Sequence, residues 1–275
     1  MNNWHSAVCE TNGINIHYTR TGGNKPPLIL LHGLMTNGLC WTGLARTLAT
    51  DYDVIMPDAR GHGESSAPAY GYRYEDHAND LSGLIKVLGL SPPVLLGHSM
   101  GGMTAGLVAQ RQPGLLRGLI LADPSFLSSA VQREVRDSDV ADQHRQILKK
   151  TFEYVVADAR RRHPKRAEET LELFSRARLQ TRMSAFDVLT PPNPDFRPLV
   201  RDIQLPTLLV VAEKGVISAT VAEELQGLNP RLQVEQVPEA GHALHIDQPE
   251  RFSAIVRRFL NSLLPAQKWN ALDPA

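Results

Sequence analysis

The stretch Gly97-His98-Ser99-Met100-Gly101 constrains this chain of 275 residues more than any other. Before it runs Val94-Leu95-Leu96, an apolar segment after Pro92-Pro93 that reads as a short buried strand. After it comes Met103–Ala109, small and apolar, which reads as a helix. A strand that reverses so sharply into a helix crowds its own backbone, and the glycines flanking Ser99 remove Cβ atoms that would collide. The serine is then expected in a strained conformation, its hydroxyl above the sheet edge and helix N-terminal N–H groups behind it. Such a hydroxyl is placed as a nucleophile.

The remainder repeats a strand–helix rhythm. Pro27–Leu31, Tyr52–Pro57, Leu116–Ala122, Thr207–Ala212 and Gln233–Val237 read as strands. Trp41–Ala49, Tyr74–Leu88, Ser218–Leu228 and Glu250–Leu264 have helical spacing. Continuous apolar strands imply a mostly parallel sheet with helices on both faces. Residues 7 to 19 alternate around Thr11-Asn12-Gly13 and read as an edge hairpin, with His17 expected at the surface. Residues 125 to 204 break the rhythm with several helical clusters, which read as a lid inserted between two strands. The arginines there, Arg160-Arg161-Arg162 among them, read as a solvated face or as an anion-steering rim. Pro191-Pro192-Asn193-Pro194 returns the chain to the core. The expected division is a core of 1–124 and 205–264, a helical lid of 125–204, and a poorly ordered tail of 265–275.

Composition excludes some partners. Lys+Arg and Asp+Glu both number 29, which argues against nucleic acid. Apolar runs are strand-sized, so no membrane span is expected. The N-terminus lacks the order of a secretory leader, and a cytoplasmic location is expected. Cys9 and Cys40 have no metal-ligand spacing and read as free thiols.

Several turns carry candidate chemistry. His32-Gly33-Leu34 follows a strand, and the Leu34 and Met100 N–H groups are expected to converge as an oxyanion hole. His32 itself reads as structural. Asp58–Ser65 is glycine-rich without a phosphate-binding fingerprint and reads as a packed structural loop. Asp123 ends a strand at the edge where parallel α/β sheets carry their sites, as a loop cap or as an acid. His245 has no metal-spaced partner and reads as structural.

These pieces together resemble the α/β-hydrolase fold over nearly the whole chain. The resemblance rests on His32-Gly33, Asp58-x-Arg60-Gly61-His62-Gly63-x-Ser65, Gly97–Gly102, and Gly241-His242 followed by Asp247-x-Pro249-Glu250. It implies an eight-stranded, mostly parallel sheet with a helical lid. It also implies a nucleophile at Ser99, a general base and acid at His242, and oxyanion donors at Leu34 and Met100. The family usually places its acid about where Gly215 stands. Two substitutes exist, Asp123, favoured because some members carry the acid at that strand end, and Glu213 as the alternative. A serine at position 99 argues against epoxide or haloalkane opening. The implied reaction is hydrolysis of a small carboxylic ester, or of a lactone, without metal or organic cofactor. Carbon–carbon bond hydrolysis of ring-cleavage products, and ligand binding with little turnover, are the competing readings. Met35, Phe126, Leu127, Met183 and Phe186 are expected to line an apolar pocket for a small-molecule ester. A homodimer stays open.

Overall fold

A computed structural model describes residues 4–263; the expected tail, 265–275, lies outside the described residues. The chain opens with the hairpin of β1 (His5–Thr11) and β2 (Ile14–Arg20). Asn12 and Gly13 both take positive φ, 51° and 74°, as a two-residue hairpin turn requires. Six strands follow: β3 (Pro27–Leu31), β4 (Asp53–Pro57), β5 (Val94–His98), β6 (Gly118–Ala122), β7 (Thr207–Lys214) and β8 (Leu232–Gly241). They form one eight-stranded sheet in the order β1-β2-β4-β3-β5-β6-β7-β8. β2 is antiparallel to both neighbours, and β3 to β8 run parallel. Every residue of β3, β4, β5 and β6 is buried, because helices cover both faces; this is why those strands read as unbroken apolar runs.

On one face, α1 (Thr42–Leu48) and α11 (Pro249–Ser262), which follows the short α10 (Leu244–Asp247), pack through Trp41, Leu48, Phe252 and Phe259. Trp41 itself belongs to a 3-10 turn, Gly38–Trp41, so the α-helix begins one residue later than its spacing implies. On the other face, α2 (Tyr74–Val87), α3 (Met100–Arg111) and α9 (Ala219–Leu228) bury Leu81, Leu107 and Leu225. Between β6 and β7 the chain forms α4 (Ser129–Asp137), α5 (Val140–Ile147), α6 (Phe152–Arg162), α7 (Glu168–Gln180) and α8 (Phe196–Asp202). The last of these belongs to the core, with Leu199 and Val200 buried in the same apolar cluster as α3. α7 is tied across the loops at the C-terminal edge of the sheet. Asn37 Nδ2 donates to Gln180 Oε1 at 3.0 Å, and Arg46 pairs with Glu169 at 2.6 Å. Just beyond the helix, Arg182 N donates to Gly61 O at 2.8 Å. No helix among the described residues is long and apolar enough to cross a membrane.

The expectation for His17 needs correction. It is only 8% exposed, its Nδ1 lies 2.8 Å from Asp58 Oδ2, and its Nε2 lies 2.7 Å from Ser6 Oγ. β2 is not an edge strand, since β1 and β4 flank it, and the loop after β4 covers His17: the His17 amide donates to Ser65 Oγ at 2.8 Å. Alternation gave the right phase but not what covers that face.

Candidate active site

Ser99 sits where β5 turns into α3, at φ 52° and ψ −118°. This backbone region is costly for a residue with a side chain and persists only when the surroundings hold it. They do so at both ends. The Ser99 amide donates to Ala122 O at 3.2 Å, and the Ser99 carbonyl accepts from Gly102 N at 2.9 Å. A Cβ on Gly97 would collide with the Gly101 carbonyl, so the turn requires glycine there. Gly33 lies against the serine from the β3 side; a Cβ on it would fall 3.2 Å from Ser99 Cβ.

Three side chains that the sequence scatters meet at this turn. His242 Nε2 lies 2.9 Å from Ser99 Oγ, and His242 Nδ1 lies 2.6 Å from Asp123 Oδ2. The Asp123 side chain is fully buried while that of His242 is 40% exposed, so the imidazole bridges the interior and the open cleft. The carboxylate is oriented by backbone donors, with Val216 N at 2.9 Å and Ile217 N at 3.1 Å. Glu213 does not reach the histidine and instead accepts from Glu239 N at 2.7 Å. Its strand carries it to the exposed end of β7.

The loop after β3 turns tightly, with Met35 at φ 64°. Thr36 Oγ1 donates to Gly33 O at 2.7 Å, and Met35 N reaches His62 Nε2 at 3.4 Å. Among the described residues no acceptor takes the Leu34 or the Met100 amide hydrogen. His32 holds the loop rather than the site: Nδ1 meets Gly33 O at 2.8 Å and Nε2 accepts from Ala59 N at 2.9 Å. Asp58 organises the glycine-rich loop, accepting from Gly38 N at 2.8 Å and Glu64 N at 3.0 Å. Arg60 clamps that loop to α2 through a buried bidentate pair with Asp80, both bonds 2.6 Å.

Sequence reasoning missed His98. Its Nε2–H donates to the His242 carbonyl at 2.8 Å, tying the histidine loop to β5. Burial, then the neighbouring His245 and His242, push His98 well below the ordinary 6.5, so the ring stays neutral with its proton on Nε2. The signal was its place inside the turn, one residue before Ser99. His245 is pushed down to about 3 by burial first, and sits 4.4 Å from the Trp41 ring, which fits a structural role.

The expected pocket residues are dispersed. Phe126 stacks on Phe196 at 5.4 Å within the core. Met183 and Phe186 line a cavity beside α5 that shares no residue with the one beside Met35. Leu127 is half-buried at the start of the helical segment.

The chain matches known proteins over most of its length. A family described as alpha/beta hydrolase fold matches residues 26–249, and the chain belongs to that family. Among curated relatives, N-formylmaleamate deformylase of Pseudomonas putida is 34% identical, over 91% of this chain and 94% of that one. The sn-1-specific diacylglycerol lipase ABHD11 of Mus musculus is 31% identical, over 86% of this chain and 81% of that one. The crystal structure of N-formylmaleamic acid deformylase from Pseudomonas putida S16 superposes with a TM-score of 0.76 at 26% identity, covering 92% of this chain and 100% of that one.

Proposed function

We propose that this protein hydrolyses carboxylic esters, lactones among them, through an acyl-enzyme on Ser99. The reading rests on one observation, the unbroken hydrogen-bonded chain from Asp123 through His242 to Ser99 Oγ. In the first half-reaction, His242 Nε2 takes the Ser99 proton as Oγ attacks the carbonyl carbon. The tetrahedral oxyanion receives the Leu34 and Met100 amides; losing one such donor typically costs about 3–4 kcal/mol. The imidazolium, held by Asp123, returns its proton to the departing alkoxide. Water then repeats the sequence against the acyl-enzyme and releases the acid. In this reading α4 to α7 act as a lid that limits water at the serine.

Carbon–carbon bond hydrolysis is the second reading, with His242 delivering its proton to a carbon leaving group. It is kept because the relatives include both a lipase and a deformylase, so the shared fold leaves the leaving group open. Turnover of p-nitrophenyl butyrate, with Ser99→Ala as control, tests the first reading; ring-cleavage dienoates test the second. A fluorophosphonate should add its mass to Ser99 in either case. If wild type and Ser99→Ala are equally inert and unlabelled, both readings fail and a ligand-binding role replaces them.

A further inference from the structure

A cavity of about 210 Å³ lies between the loop after β3 and the helices α6 and α7. Leu34 and Met35 form one wall; Arg162, Arg166 and Arg178 lie on the other, and among the described residues no acidic side chain lines it. Two of these arginines are neutralised from outside. Arg162 pairs with Asp158 at 2.6 Å, and Arg166 with Asp247 at 2.8 Å. Arg178 is different: among the described residues its Nε is buried and has no hydrogen-bond partner. Burial, and then the charge of Arg162, push its guanidinium below the ordinary range, so the fold holds this cation at a cost. A buried guanidinium edge without an acceptor is unfavourable, and planar N–H donors match a carboxylate best. The wall opposite is the loop whose Gly33 touches Ser99 and whose Leu34 amide is free.

We propose that this cavity binds a carboxylate of the substrate, with Arg178 as its principal partner. The substrate class is then a monoester, or another monoacyl derivative, of a short dicarboxylic acid. Its reacting carbonyl sits at Ser99 and its free carboxylate sits between the Leu34–Met35 wall and α7. This inference rests on the hydrolase reading above and narrows it.

The test compares monoethyl succinate with ethyl butyrate, similar in length and differing in the charged terminus, by pH-stat. In wild type, kcat/KM for the anionic ester should exceed that for the neutral one by at least about tenfold. Arg178→Met should lower that ratio by about tenfold or more, chiefly through KM, and Arg178→Lys should keep part of it. Arg176→Met, an exposed arginine on the same helix, should leave the ratio unchanged. A wild-type ratio near or below one overturns the proposal, as does a ratio that Arg178→Met leaves alone. Calorimetry of succinate on Ser99→Ala separates this from the hydrolase reading, since it needs no turnover. Binding that Arg178→Met abolishes supports the carboxylate site even if no ester is cleaved; no binding to Ser99→Ala overturns it.

Discussion

The carboxylate of Asp123 fills the space that a side chain at position 215 would need: a Cβ on Gly215 would lie 2.6 Å from each carboxylate oxygen. The acid therefore reaches the same place beside the imidazole from the end of β6 that the family usual position would reach from beyond β7. Glycine at 215 is what leaves room for it.

That equivalence can be tested by moving the acid. Gly215→Asp alone should cripple activity, because two carboxylates cannot occupy one space. Asp123→Gly combined with Gly215→Asp should recover about tenfold or more over Asp123→Gly alone, since glycine suits the φ of 40° at position 123. Steady-state kinetics on p-nitrophenyl butyrate decide it; no recovery in the double variant would mean that the two positions are not interchangeable.

Asp123→Asn keeps the shape but removes the charge that stabilises the imidazolium. It should lower kcat by about 10³–10⁴ with little change in KM. Glu213→Gln should change kcat less than about threefold, because Glu213 accepts from the Glu239 amide and does not reach His242. The reverse pattern would reassign the acid.

His98→Ala removes the tie between β5 and the His242 carbonyl. The serine and carboxylate remain, but the imidazole loses one anchor of its loop. We expect kcat to fall about ten- to a hundredfold, with KM nearly constant, in stopped-flow or steady-state assays. His98→Gln, which can still donate to that carbonyl, should recover part of the loss.

Gly97→Ala drives a methyl into the Gly101 carbonyl and should destabilise the fold by about 2 kcal/mol or more while abolishing activity. Urea unfolding followed by circular dichroism measures the first effect. A variant that folds with wild-type stability and turnover would show that the turn is looser than its geometry implies.

Buried histidines make stability depend on pH in two opposite senses. His77 and His245 are each pushed down to about 3, chiefly by burial, from an ordinary value of 6.5. The unfolded chain takes up protons below 6.5 and the folded one does not until about 3, so each costs stability as pH falls through that window. His17 shifts the other way, raised chiefly by its hydrogen bond to Asp58, with Glu64 adding to it. Its contribution is full below 6.5 and is lost as pH rises through its raised value. The urea midpoint should drop on acidification, less steeply in His77→Gln; His17→Asn should remove the loss of stability that His17 contributes as pH rises above 6.5.

Much of the site was legible because its determinants are local. Gly97, Ser99 and Gly101 announce a strained turn through sterics that act within five residues. Uninterrupted apolar runs announced strands covered on both faces. The identity of the acid was legible only as a choice, since Asp123 and Glu213 both end parallel strands. His17 was misread because alternation reports which face a residue takes, not which loop later covers that face. The pocket expectation meets the same limit: Phe126, Met183 and Phe186 are apolar, and apolarity does not say which of several cavities a side chain lines.

The sequence by itself determined the alternation of strands and helices, the strained serine and the room left at position 215. Tertiary structure alone decided that Asp123 rather than Glu213 meets His242, that His98 anchors the His242 loop, and that Arg178 lines a cavity with no acidic side chain among the described residues. The reason is range. Periodicity and backbone sterics act over a few residues and are written in order along the chain. Which carboxylate, imidazole or guanidinium comes within about 3 Å of another depends on strand order and helix docking, summed over the whole fold.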